Sequence, residues 1–368
     1  MQKILLSSNF QRTLISVLQD KYVSKKYLLV CDVSFPFLSI KDCFSALAIP
    51  YAIFNDFTSN PRYEDVCNGV ALFHREKCDC IVAVGGGSSI DVAKCVKLFA
   101  GMKTDALYLD QPYADSGIPL IAIPTTAGTG SESTHFAVIY YNEKKQSVAH
   151  ESILPNFAIL EPSVLKTLPL YQKKCTLLDA LCQAIESWWS VRSCEESISY
   201  SKTAIEMIVK HQHAYLTENS DIAADQIMLA ANYAGRAINL TTTTAAHAMS
   251  YKLTSLYGLP HGHAVAICLP KLWTFMNTHM DQCIDPRGKA HLSERFQSIA
   301  EAFGSPDVSS AIAKFEEMLQ ELEILPPQIK EPDLHILTAS VNATRLGNNP
   351  VALSEKNLDQ LYRTISKE

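Results

Sequence analysis

The sequence predicts an α/β domain built on a mostly parallel sheet, followed by an all-helical domain. Three observations carry this. Residues 1–160 alternate short apolar runs with amphipathic segments, the pattern of a parallel sheet with helices on both faces. The pattern changes near Glu161-Pro162-Ser163, where a proline and a serine precede Val164–Pro169. From there on, long helical patterns replace β-rich runs. The predicted domains are 1–161 and 162–368, and no long linker separates them. So short a join predicts a fixed cleft, a common place for small-molecule sites.

In the first half, Tyr27–Cys31 reads as a strand, Leu38–Ala48 as helix-like and Pro50–Phe54 as a strand again. Tyr63–Arg75 has helical spacing. Asp79–Val84 is a strand running into Gly85-Gly86-Gly87, and Ser88–Gly101 is the helix after it. Pro119–Ile123 and Phe136–Tyr141 follow as strands. In the second half, helices are predicted over Lys174–Trp189, Glu195–Tyr215, Ile222–Asn239, Ala246–Tyr257, Leu292–Phe303, Val308–Leu322 and Ser354–Ser366.

Composition narrows the function classes. The 368 residues are 47% hydrophobic and 19% charged, which fits a chain with a large core. A net charge of −6, without a Lys/Arg stripe, argues against nucleic-acid binding. No apolar run approaches the ~20 residues of a membrane helix, and the N-terminus has too short an apolar stretch for a secretory signal. Cys78 and Cys80 are too close for the usual zinc CxxC, and many of the eleven cysteines sit among apolar residues. Reduced core thiols in a cytoplasmic protein are the expectation.

The stretch Val84-Gly85-Gly86-Gly87-Ser88-Ser89-Ile90-Asp91-Val92-Ala93-Lys94 reads as strand, tight turn and helix N-terminus. Unpaired N–H groups and the positive end of a helix dipole suit a diphosphate there, and glycine lets the backbone approach it. A purely structural turn is the competing reading. A second loop, Pro124-Thr125-Thr126-Ala127-Gly128-Thr129-Gly130-Ser131-Glu132, also follows an apolar run. Its hydroxyls suit a ribose, a phosphate or a nicotinamide amide, against a loop capped by its own hydroxyls. Two such loops in one domain favour a nucleotide. Asp32 ends the first predicted strand, where an acid binds ribose hydroxyls and repels a 2′-phosphate, favouring NAD(H) over NADP(H). Alternatively it only caps the next turn.

Asp179 and Gln183 lie four apart in an apolar helical segment and so share a face. His247 opens His247-Ala248-Met249-Ser250-Tyr251-Lys252, and His261 and His263 follow Gly258-Leu259-Pro260. On one straight helix His247 and His261 would be about 21 Å apart at ~1.5 Å per residue. Gly258 and Pro260 break the helix and let the chain turn back. An Asp and two His can then hold a divalent cation with an open position for substrate.

At this point GGGSSIDVAK, PTTAGTGSE, DAL–QAIES and HAMSY followed by PHGHA resemble the iron-containing (group III) alcohol dehydrogenases, from about Tyr27 to Asn348-Asn349-Pro350. The resemblance implies a Rossmann-like nucleotide-binding domain and a helical metal domain, the layout shared with dehydroquinate synthase. It implies that Gly85, Gly86, Gly87, Ser88 and Asp91 line the cofactor. Thr125, Thr126 and Lys145 are expected on its nicotinamide ribose side, with Lys145 taken as a lysine just before the domain's last strand. Asp179, His247 and His261 match three of four metal ligands, for Fe(II) or Zn(II). Gln183 stands where the family carries a histidine, as a weaker neutral donor. Tyr251 stands where many members carry a proton-relaying histidine, and its reference pKa of about 10 suits that task less well.

DAL-x-QAIES-x-W with SYKLTSLYG-x-PHGHA resembles the branch that reduces phosphonoacetaldehyde to 2-hydroxyethylphosphonate in phosphonate biosynthesis. A phosphonate dianion needs fixed positive charge, and Lys252, Arg192 and Arg345 are the candidates. The implied activity is NAD(P)H-dependent reduction of an aldehyde to a primary alcohol, with water, Tyr251 or His263 giving the proton. Family members are often homodimers. The alternatives are a general alcohol dehydrogenase acting on a simple alcohol/aldehyde pair, a dehydroquinate synthase-like lyase, and a non-catalytic nucleotide binder.

Overall fold

The computed structural model describes residues 2–21, 24–341 and 343–366. The chain divides into two compact units, Met1–Leu168 and Pro169–Glu368. In the first, β1 (Lys3–Leu6), α1 (Phe10–Ile15), β2 (Tyr27–Cys31), α2 (Lys41–Ser45), β3 (Tyr51–Phe54) and α3 (Tyr63–Arg75) come first. Then come β4 (Cys80–Gly85), α4 (Gly87–Phe99), β5 (Leu120–Pro124), β6 (Phe136–Tyr141), β7 (Lys144–Ala149) and β8 (Phe157–Leu160).

Among the described residues six strands form one parallel sheet in the order β1-β8-β5-β4-β2-β3. Strands β2, β4, β5 and β8 are buried along their whole length. Their continuous apolar runs are what a sheet covered on both faces requires. The chain leaves β2 for β3 on one side and β4 for β5 on the other. The direction of winding therefore reverses between β2 and β4, and parallel sheets bind ligands beyond the strand ends at such a point.

The sequence expectations miss β1 and β8, which are four residues each. Each is too short to show a period of its own, and they are held by pairing with each other and, for β8, with β5. The strand Phe136–Tyr141 does form, but it leaves the main sheet and pairs antiparallel with β7. Asn142 and Glu143 both take positive φ (48° and 61°), the two-residue turn geometry that closes a hairpin. The helix expected over Leu38–Ala48 shrinks to α2.

The second unit holds α5 (Leu170–Trp189), α6 (Glu195–Thr217), α7 (Asp221–Thr241), α8 (Ala245–Tyr257) and α9 (His261–Thr278). It continues with α10 (Gly288–Ala302), α11 (Val308–Glu321), α12 (Glu331–Ala339), α13 (Ala343–Leu346) and α14 (Glu355–Ile365). Helix α9 packs against α5, α8, α11 and α14. Trp189 of α5, Trp273 of α9 and Phe296 of α10 form one aromatic cluster, with ring centroids 5.7–6.2 Å apart. The sequence expectations miss α9. Every residue from Gly262 to Pro270 is buried and Pro270 lies inside the helix, so no polar face marks a period.

Among the described residues no helix is long and apolar enough to cross a membrane. All eleven cysteines are free, and Cys31, Cys78, Cys80, Cys95, Cys175, Cys182 and Cys268 are buried.

Candidate functional site

In the first unit, strand register aligns residues far apart in sequence. Cys31 pairs with Val84, and Gly85 with Pro124. Asp32, the three glycines and Thr125-Thr126 therefore follow three neighbouring strands at the same edge of the sheet, at the winding reversal. Gly85 has φ +152°, and a Cβ on it would strike the Ser89 side chain and lie 2.9 Å from Asp32 Oδ2. Only glycine suits that position. Gly86 takes the N-cap of α4 without any side-chain cap. The first N–H groups of a 13-residue helix are thus left to a ligand or water. Thr126 lies 3.6 Å from where a Gly86 Cβ would be.

Asp32 caps its own turn, accepting from Ser34 N at 2.8 Å, and its other oxygen accepts from Ser89 Oγ at 3.2 Å. A carboxylate has lone pairs for more donors, so the capping role and a ribose role are compatible. Ser88 Oγ donates to Ser59 O.

Asp91 is engaged in the protein itself. It accepts from Ser131 Oγ and from Val138 N at 2.9 Å, with Lys94 Nζ 3.9 Å away. Lys94, fully buried, donates to Ser131 Oγ, Thr134 Oγ1 and Phe136 O at 2.8–3.0 Å. Burial pushes its pKa down to about 8, against the pull of Asp91 and Glu132. Together Asp91 and Lys94 bind the hydroxyl-rich loop to α4. Lys145 lies inside β7, opposite Tyr140, in the hairpin that precedes β8, the last strand of this unit.

In the second unit α5 presents Asp179, Gln183 and Glu186 on one face, all buried. Helix α8 ends at Gly258 in the left-handed region (φ +66°), and Pro260 caps α9, which starts at His261. The chain thus turns back, and the rings of His247 and His261 are 5.3 Å apart. Asp179 Oδ1 lies 3.3 Å from His247 Nε2 and 3.9 Å from His261 Nε2. One ligand atom from each of the three residues lies within 4.8 Å of the others. The approach depends on Gly262, where a Cβ would overlap the backbone carbonyl of Cys175 and come 2.9 Å from Asp179 Cβ.

These residues fit a divalent cation. Asp179 Oδ1 and His247 Nε2 are buried, and neither has a hydrogen-bond partner of good geometry among the described residues. Such atoms are costly unless something else satisfies them. Burial disfavours the charged form of Asp179. The hydrogen-bonding and charge of His247, with the charge of His261, outweigh it and hold the carboxyl below its ordinary range. Burial likewise disfavours charge on His247, but Glu186 and Asp179 raise its pKa to about 10. Two buried carboxylates thus call for positive charge at this point, from a proton or from a metal.

Glu186 had no role assigned from sequence, although it lies seven residues after Asp179 on the same helix face. Its Oε2 bonds His247 Nδ1, and its Oε1 accepts from Thr244 N, Thr244 Oγ1 and His247 N.

Tyr251 stacks on the His261 ring, with centroids 5.6 Å apart and planes 7° from parallel. Lys252 follows it on α8, half-buried. His263 is placed differently from the expectation. Its Nδ1 meets Tyr171 Oη and its Nε2 meets Leu325 O, both at 2.8 Å. With both nitrogens tied to the protein, it serves as a bridge between elements and has no free nitrogen for a relay. Arg192 is exposed beyond the end of α5, whose last residue, Trp189, is itself about 15 Å along the helix from Asp179 at ~1.5 Å per residue. Arg345 lies on α13, which packs against α8.

Comparison with known proteins agrees with this architecture. The family model for iron-containing alcohol dehydrogenases matches residues 3–162, and that for the C-terminal domain of the Fe-containing alcohol dehydrogenase family matches 174–366. Phosphonoacetaldehyde reductase of Streptomyces viridochromogenes is 32% identical over 299 residues, covering 77% of this chain and 75% of that protein. The probable alcohol dehydrogenase EutG of Escherichia coli is 33% identical over 271 residues, 72% of this chain and 66% of its own. Among solved structures, sulfoacetaldehyde reductase from Bifidobacterium kashiwanohense, in complex with NAD+, shares the fold. Its TM-score is 0.88 at 24% identity, over 100% of this chain and 97% of that one. The chain belongs to the iron-containing alcohol dehydrogenase family.

Proposed function

We propose that this protein uses NADH to reduce phosphonoacetaldehyde to 2-hydroxyethylphosphonate. The carrying observation is the convergence of Asp179, His247 and His261, with two buried ligand atoms, Asp179 Oδ1 and His247 Nε2, that make no hydrogen bond of good geometry among the described residues. Asp179, His247 and His261 would hold the metal, Fe(II) or Zn(II), with Gln183 as a neutral fourth donor. A divalent cation bound there supplies Lewis acidity to a carbonyl oxygen and stabilises the charge that develops on it.

In this reading the first unit binds the cofactor. The uncapped N-terminus of α4, with Gly85, Gly86, Gly87 and Ser88, takes the diphosphate, and Asp32 takes the adenosine ribose. Thr125, Thr126 and Lys145 serve the nicotinamide ribose side, and Asp91 with Lys94 positions the loop that carries the two threonines. A nicotinamide held there would supply hydride to the carbonyl carbon, and the oxygen would take its proton from water or from Tyr251, whose ring stacks on His261. Lys252 on α8 and Arg345 on the short helix packed against it supply charge for a phosphonate. Arg192 and His263 have no part in this account. We propose a cytoplasmic homodimer, as is frequent in the family.

A substrate panel tests the assignment. Phosphonoacetaldehyde is expected to show the highest kcat/KM against simple aldehydes and lactaldehyde, with NADH preferred to NADPH. If the simple aldehydes are turned over best, the phosphonate reading fails, and the general alcohol dehydrogenase reading takes its place. Replacing Asp32 with alanine is expected to narrow the NADH preference by removing the charge that repels a 2′-phosphate. An unchanged cofactor ratio in that variant would leave Asp32 as a turn cap alone.

A further inference from the structure

We propose that Glu186 is a positioning residue that fixes the tautomer of His247, so that Nδ1 carries the proton and the Nε2 lone pair is presented toward Asp179 and His261. This rests on the metal reading above, and the contacts around Glu186 give the reason. Its carboxylate is completely buried in α5. One oxygen, Oε1, is occupied by three donors: Thr244 N at 3.0 Å, Thr244 Oγ1 at 2.8 Å and His247 N at 3.3 Å. Thr244 is itself held by Trp189 Nε1, which donates to its Oγ1 at 2.9 Å. The other oxygen, Oε2, meets His247 Nδ1. An ionised carboxylate only accepts, so Nδ1 must donate. His247 Nε2, on the far side of the ring, is then free of its proton whenever the imidazole is neutral, and it points at Asp179 Oδ1. A partner of this kind both orients a ligating imidazole and raises its basicity.

The same geometry predicts what glutamine would do. Three donors already converge on the Oε1 position, so the amide oxygen of Glu186→Gln must go there. Its NH2 group then faces His247 Nδ1, and Nδ1 must accept. The neutral ring is driven to the opposite tautomer, with a proton on Nε2 where the cation would bind. The variant is isosteric and keeps the cap on the first turn of α8. A glutamate that served only as that cap would be replaced by glutamine with no effect on metal binding.

The test is zinc affinity by chelator competition on the full chain, with 15N spectra of the histidine side chains read on the same samples. The wild-type His247 Nδ1 is expected to be protonated with and without zinc. In Glu186→Gln, zinc affinity is expected to fall ~10–100-fold, and the metal-free protein is expected to show Nδ1 unprotonated and Nε2 protonated. Wild-type affinity in Glu186→Gln, or a protonated Nδ1 there, overturns the proposal. A wild-type protein with zinc on Nδ1 overturns it too, and that measurement stands even if the variant does not fold. A wild-type protein that takes no zinc would sink the metal reading alone, because the nitrogen protonation pattern still tests the role of Glu186.

Discussion

Replacing His261 with alanine is expected to remove tight metal binding and to lower kcat/KM for aldehyde reduction by at least ~10²-fold, the scale of losing a main stabiliser of a developing oxyanion. His261 opens α9, and its side chain is 36% exposed, against 4% for His247 and Asp179. It is thus the ligand on the open side of the cluster, and truncating it leaves no cavity in the core. Thermal stability of the metal-free protein should stay close to wild type while metal content falls. Full activity in a rigorously metal-free sample, or in the alanine variant, would remove the metal from the mechanism.

Gly262→Ala is expected to damage the same site without touching a ligand. The added methyl meets the backbone carbonyl of Cys175 and crowds Asp179 Cβ. Backbone cannot swing aside as a flexible side chain can, so α9 must draw back from α5. Overpacking of this kind costs about 1–3 kcal/mol. It also moves His261, the residue just before it, away from Asp179. The expected outcome is a lower Tm together with weakened zinc affinity, measured by thermal melts and chelator competition. A stable variant with wild-type affinity would show that the close approach of the two helices is not what sets the ligand spacing.

Local pattern was enough for a large part of the fold. Helix α3 spans the residues its spacing predicts, because an amphipathic face of 13 residues repeats often enough to be read. Strands β2 and β4 were legible as apolar runs ending at Asp32 and at the glycines. Helix α9 was not, because burial on all sides erases the period. The hairpin partner of β6 was not either, since β7 is mostly exposed and polar, and only the positive-φ pair Asn142-Glu143 betrays the turn.

The candidate site divides along the same physical line. Spacing alone put Asp179 and Gln183 on one helix face and showed that Gly258 and Pro260 must break the path from His247 to His261. Those are consequences of helix geometry and of what glycine and proline do to a backbone, so they are written in the chain. Three things were decided by tertiary contacts. His263 resembles a site residue in sequence, but Tyr171 and Leu325 occupy both its nitrogens. Glu186 resembles one more helix carboxylate, but Thr244 and His247 converge on it. Asp91 belongs to the glycine motif, yet Ser131, Val138 and Lys94 take its oxygens. A buried polar group must find its partner wherever packing places one, and that partner stands 40 to 92 positions away in most of these contacts. Sequence determines which groups a helix or a strand end displays, and only packing determines which of them remain available to a ligand.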